Sequence, residues 1–275
     1  MHDSAVAGHR NSPVTPLIDI GVNLTNKSLL ADLDGVLQRA ADAGVEQMVI
    51  TGTSYEVSLQ AIQLCAQYPS RLVSTCGIHP HHASDWDDDS YAQLGELAGQ
   101  DCVRAIGETG LDFNRNYSPA AAQELAFAQQ MALAVELQMP LFCHQRDAHE
   151  RFAGMLREQR ERIPRVVVHC FTDTREALID YLDLDCYIGI TGWICDERRG
   201  LGLRELVKLI PRERLLLETD APYLLPRNLD PKPPSRINEP AWLPHIMREV
   251  ALCLGRPPAS VAADCLNNSR LFFDL

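Results

Sequence analysis

Five short segments place a ligand-type side chain directly after an apolar run: His79 in CGIHPHH, Glu108 in IGETGLDF, His144 in LFCHQRDAH, His169 in VVVHCFT and Asp220 in LLLETDAPY. Three imidazoles and two carboxylates make a mixed nitrogen and oxygen donor set that suits zinc, manganese or a related divalent ion. With one coordination position open, such an ion holds and acidifies a water, the starting point of hydrolysis. Each residue alone has a plainer reading. A lone histidine at a strand end is more often a hydrogen-bonded core residue than a ligand. Glu108 can cap the following helix, and Asp220, ahead of Ala221 and Pro222, can cap a short turn. Their coincidence at one predicted rim is what favours a site.

That rim needs a scaffold. Short apolar runs, most of them rich in β-branched residues, occur at Leu17–Val22, Gln47–Thr51, Leu72–Cys76, Val103–Ile106, Leu141–His144, Val166–Cys170, Tyr187–Ile190 and Leu215–Glu218. Between them lie amphipathic stretches, among them Leu29–Ala43, Ser58–Tyr68, Ala120–Leu137, Ala148–Gln159 and Arg175–Leu182, with a short one at Ser90–Ala98. Gly44 and Pro69 stand where helices should stop. Eight strand-helix alternations, with no G-x-G-x-x-G after the first strand, predict an α/β fold of the (β/α)8 TIM-barrel kind. In such a barrel every strand opens its C-terminal end onto one face, so residues remote in sequence meet there. Two further helices, near Ala241–Leu254 and Ser260–Phe272, are expected to close the last unit, and five prolines between Leu225 and Pro240 predict a stiff loop.

The chain has 275 residues, 46% hydrophobic and 23% charged, which allows an ordinary buried core and excludes collagen-like, coiled-coil and wholly disordered readings. A net charge of −12 excludes a broadly basic nucleic-acid surface, so a phosphate partner must be caught locally. Nine cysteines with no C-x-x-C pair suggest neither a disulfide framework nor a zinc ribbon, and point to reducing cytoplasm. Residues 1–16 lack an apolar targeting segment and are expected to form a flexible extension, leaving residues 17–275 as a single hydrolase domain. No run of 18 apolar residues suggests a membrane span, and a monomer is the expectation.

Taken together, GIHPH at 77–81, GETGLDF at 107–113, CHQRDA at 143–148, HCFT at 169–172 and ETDAPYL at 218–224 resemble, in order and separation, the signature segments of the TatD family of metal-dependent deoxyribonucleases. The resemblance runs from Leu17 to the C-terminal helices. It implies a metallo-dependent hydrolase barrel with Glu108, His144 and His169 as metal ligands and Asp220 as ligand or base. The chain departs from many relatives at the first strand, where Gly21 and Asn23 stand in place of the two histidines of a D-x-H-x-H element. One metal position should therefore be weak, water-rich, or filled only when a substrate phosphate arrives. The IGVNLT segment at 20–25 is similar to the branch that gives the family its name. That branch implies a 3′-to-5′ exonuclease on single-stranded DNA and RNA, dependent on Mg or a similar ion such as Mn or Zn, and associated with repair of oxidative DNA damage.

On this reading Asp220 orients the attacking water, Asn23 contacts a second ion weakly, and His79 bonds a phosphate oxygen or protonates the leaving 3′-oxygen, its alternative being to orient the Pro80 turn. Arg146 suits a bidentate phosphate contact or a pair with Asp147. Arg227, Lys232 and Arg236, against Asp230, form a locally positive loop suited to clamping a phosphate. Trp193 and Tyr223 offer faces for an unpaired base, worth about 1–3 kcal/mol each, or else lie buried in a barrel-to-helix seam. Two rivals share the sequence features. One is a small-molecule ester or amide hydrolase, or an aminoacyl-tRNA deacylase, on the same barrel, disfavoured by the missing histidine pair and by the lack of a strand-end lysine. The other is a non-catalytic binding scaffold, which predicts no metal-stimulated turnover.

Overall fold

The computed structural model describes residues 16–275, so the proposed extension at 1–16 lies, but for Pro16, outside the described residues. Eight parallel strands follow one another in a single sheet: β1 (Leu17–Val22), β2 (Val45–Ile50), β3 (Leu72–Cys76), β4 (Val103–Asp112), β5 (Leu141–Arg146), β6 (Val166–Val168), β7 (Tyr187–Ile190) and β8 (Leu215–Leu217). Backbone bonds from Asp220 N–H to Gly21 O (2.9 Å) and Asn23 N–H to Ala221 O (2.8 Å) join the last strand's exit to the first strand. The result is a near-closed (β/α)8 barrel. The helices are α1 (Lys27–Leu30), α2 (Leu33–Asp42), α3 (Tyr55–Gln67), α4 (Ser90–Ala98), α5 (Ala120–Leu137), α6 (His149–Gln159), α7 (Arg175–Asp183), α8 (Leu201–Leu206), α9 (Leu243–Leu254) and α10 (Pro258–Phe273).

Two apolar cores hold this arrangement. The outer one packs helices against the outward faces of the strands. The inner one stacks Ile18, Val49, Val73, Ala105, Phe142, Val167 and Leu216, each from a different strand, inside the barrel. Tyr187 and the α10 residues Phe272 and Phe273 complete it, with the Tyr187 and Phe272 rings 5.1 Å apart, and so fill the end where the strands begin.

Strand pleat then carries the interior upward. Side chains two apart share a face, so Phe142, Val167 and Leu216 inside the barrel put His144, His169 and Glu218 inside its mouth. β4 extends to Asp112 rather than stopping at Ile106. It does so with a register shift between Ile106 and Thr109 and with Gly107 and Gly110 at φ +136° and +138°. A Cβ at either glycine would collide with the β5 carbonyls of Phe142 and His144, so only glycine lets β4 hug β5 there. The predicted helix at Leu29–Ala43 is divided into α1 and α2, with Asp32 as the N-cap of the second. No helix among the described residues is long and apolar enough to cross a membrane.

Candidate active site

Three imidazole nitrogens surround one carboxylate oxygen. Glu108 Oε1 lies 2.7 Å from His169 Nε2, 3.0 Å from His144 Nδ1 and 3.3 Å from His79 Nε2. The four side chains come from β4, from β5 and from the ends of β3 and β6, and they meet in a cavity of about 420 Å³ that Asn23, Arg146, Asp220, Trp193 and Tyr223 also line. Asn23 Nδ2 donates to Asp220 Oδ1 at 3.1 Å. The predicted residues His79, Glu108, His144, His169, Asp220, Asn23 and Arg146 are thus brought together. Arg227 is not. It lies outside the cavity lining, paired with Glu197 at 3.1 Å and Asp196 at 3.7 Å.

The electrostatics of the cluster follow from burial against charge. Burial pushes Glu108 upward, but the charge of His169 beside it, with His79 and the hydrogen bonds from His144 and His169, holds it well below the usual carboxylate range. The same contacts act in reverse on the imidazoles. Burial depresses His169, yet Glu108 and Glu218 outweigh it and hold His169 well above the ordinary histidine value. His144, opposed by burial, is raised by bonds to Asp112 and Glu108. At His79 burial wins, and its pKa falls to about 4. Burial, reinforced by Glu108 and Glu218, raises Asp220 to about 7 against the pull of His169 and Asn23.

Three residues not singled out from sequence complete the site. Glu218, fully buried, accepts from Cys170 N–H at 2.5 Å and lies 3.2 Å from His169 Nδ1. Asp112 Oδ2 lies 2.6 Å from His81 Nε2 and 3.4 Å from His144 Nε2. Period-two counting from Leu216 would have exposed Glu218, and the second histidine of HPHH was the available sign for His81. Gly21 also acquires a reason: a Cβ there would run into Glu218, so the carboxylate occupies space that a larger residue at 21 would need.

The donor set suits a divalent ion. His79, Glu108 and His144 each offer a ligand atom within 4.8 Å of the others, and His144 Nε2 is buried with only the long 3.4 Å contact to Asp112. A (β/α)8 barrel with imidazoles and carboxylates gathered at its mouth is the metallo-dependent hydrolase type. Residues 18–274 match the family described as TatD related DNase, and the chain belongs to that family. It is 52% identical over 259 residues to the 3′-5′ ssDNA/RNA exonuclease TatD of Erwinia tasmaniensis, covering 94% of this chain and 100% of the relative. The Salmonella typhimurium protein of the same name is 51% identical, covering 94% and 99%. Among solved structures, a TatD homologue from Escherichia coli superposes with a TM-score of 0.86 at 27% identity, covering 94% and 98% of the two chains. A TatD-family hydrolase from Entamoeba histolytica gives 0.85 at 26%, covering 95% and 99%.

Proposed function

We propose that this chain is a divalent-metal-dependent 3′-to-5′ exonuclease on single-stranded DNA and RNA, serving repair after oxidative damage. Residues 17–275 act as one hydrolase domain, as a monomer in the cytoplasm, a placement supported by nine unpaired cysteines. The observation that carries the reading is the convergence of His79, His144 and His169 on one oxygen of Glu108 beside Asp220. Mg is the ion we put first, with Mn or Zn as alternatives.

Glu108, His144 and His169 would hold the ion, with Asp220 as a further ligand or base, and the ion would supply positive charge for the nonbridging phosphate oxygens and acidity for the attacking water. The hydrogen-bond network separates the imidazoles by role. His169 Nδ1 faces the Glu218 carboxylate, so its proton sits there and Nε2 keeps a lone pair for the ion. His79 Nδ1 instead accepts the His81 backbone N–H at 3.0 Å, which puts the proton of the neutral ring on Nε2. That makes His79 a donor to a phosphate or leaving oxygen rather than a ligand. Asp220, held near neutrality and oriented by Asn23, is matched to taking a proton from water at physiological pH. Arg146, which donates to Thr172 Oγ1 at 3.3 Å and lies 5.8 Å from the Trp193 ring, is placed to meet a phosphate at the rim.

The test uses metal-stripped protein with single strands labelled at the 3′ or the 5′ end, with and without Mg or Mn, beside generic ester substrates. Metal-dependent stepwise shortening from the 3′ end is expected. Internal cuts, or turnover confined to the esters, would overturn the reading.

A further inference from the structure

Away from the mouth, at the end of the barrel where β3 and β4 begin, a surface pocket of about 470 Å³ is lined by Cys65 of α3, Cys102 just ahead of β4, and Arg104. The two thiols line one and the same pocket, close enough that each perturbs the other's ionisation more than any other group does. Cys102 is fixed in place because its carbonyl accepts the Ser74 N–H at 2.9 Å. Two polar atoms at this spot, Ser74 Oγ and Arg104 Nε, are buried without a hydrogen-bond partner, and Ser74 is fully buried. Cys65 is buried, whereas Cys102 is part-exposed. A part-exposed thiol beside a second thiol, a hydroxyl donor and a guanidinium is the environment in which a cysteine reacts with oxidants.

We propose that Cys65 and Cys102 form a peroxide-reactive site at the foot of β4, in which Cys102 is oxidised first and Cys65 resolves it as an intramolecular disulfide. The Cys102 thiolate attacks one peroxide oxygen, breaking the O–O bond and giving Cys102 sulfenic acid and hydroxide, which takes up a proton. The Cys65 sulfur then attacks the Cys102 sulfur, and the hydroxyl leaves with the Cys65 proton as a second water. Two electrons pass from sulfur to hydrogen peroxide, the co-reactant. The neighbouring Cys65 thiol, ahead of the Arg104 charge, holds the part-exposed Cys102 thiol below the ordinary range against its partial burial. The other part-exposed thiols, Cys170 and Cys253, are raised by burial and nearby acids. The link would tie α3 to the start of the strand that carries Glu108. This site stands independently of the nuclease reading.

The full-length protein is treated with hydrogen peroxide and examined by intact mass and peptide mapping, alongside Cys65→Ser and Cys102→Ser, with melting curves verifying that both variants fold. The wild type should lose two hydrogens and yield one 65–102 cross-linked peptide, reversed by dithiothreitol. Cys65→Ser should accumulate a dimedone-reactive sulfenic acid on Cys102, and Cys102→Ser should leave Cys65 unmodified. In untreated wild type, iodoacetamide at pH 7 should alkylate Cys102 about fivefold faster than any other cysteine. Absence of the 65–102 peptide, or alkylation of Cys102 no faster than of Cys170 or Cys253, would overturn the proposal.

Discussion

Glu218 and His169 form a buried carboxylate–imidazole pair, 3.2 Å from Oε2 to Nδ1, directly behind the nitrogen that points at Glu108. The pair sets which face of the ring is free to donate electrons, a role such partners commonly play behind metal-binding histidines. Glutamine at 218 can offer an N–H to Nδ1 in place of the acceptor and so drive the proton to Nε2. Glu218→Gln should therefore weaken metal binding by about 10–100-fold with little change in melting temperature, as measured by calorimetric titration of the apoprotein. Unchanged affinity would remove Glu218 from this role.

Glu108 is the one carboxylate on which His79, His144 and His169 all converge. Glu108→Ala is expected to lower single-strand cleavage by about two to three orders of magnitude while the fold persists. Cleavage assays paired with circular dichroism check this, and wild-type turnover in the variant would refute the assignment.

In the metal-free protein His144 and His169 hold their protons more tightly than free histidine. An incoming cation must displace those protons, so affinity should fall as pH falls, by about tenfold per pH unit for each proton released. Titrations at pH 6 and 8, in buffers of different ionisation enthalpy, count the protons. A binding constant independent of pH would contradict the raised imidazoles.

Arg146 reaches the cavity from the end of β5 without a tight carboxylate partner, Asp147 being 3.8 Å away. Arg146→Ala should raise KM for single strands by about tenfold, the size of one lost charged hydrogen bond. It should leave kcat within about twofold if the contact is equal in ground and transition states. Steady-state kinetics on short oligonucleotides separates the two constants.

Asp196 accepts from Arg198 N–H (2.9 Å), Arg199 N–H (3.2 Å) and Arg199 Nε (2.9 Å). These bonds, with the Arg199 charge, outweigh burial and hold its carboxyl below the ordinary 3.8. A depressed folded value means the stabilisation is present above the unfolded value of about 4 and disappears as pH drops through the folded one. Melting temperature followed from pH 6 to pH 2 should decline less steeply in Asp196→Asn than in the wild type.

Most of the barrel could be read from the chain because each strand carries a short apolar run, β-branched in all but β5 and β8. The end of β4 escaped notice because GETG looks like a turn, and only the collision of a Cβ with β5 carbonyls explains why glycines continue a strand there. The donor residues were legible since strand ends converge in any such barrel. Their division of labour was not, because it depends on what lies behind each ring: Glu218 behind His169, the His81 amide behind His79. Arg227 illustrates the opposite failure. Its loop is locally positive in sequence, but Glu197, thirty residues earlier, folds back and neutralises it.

The aromatic pair at the end of α10, packed with Tyr187 where the strands begin, seals one side of the cylinder. A polynucleotide therefore has no tunnel to thread. On the proposed function, a strand would have to enter and withdraw through the same doorway.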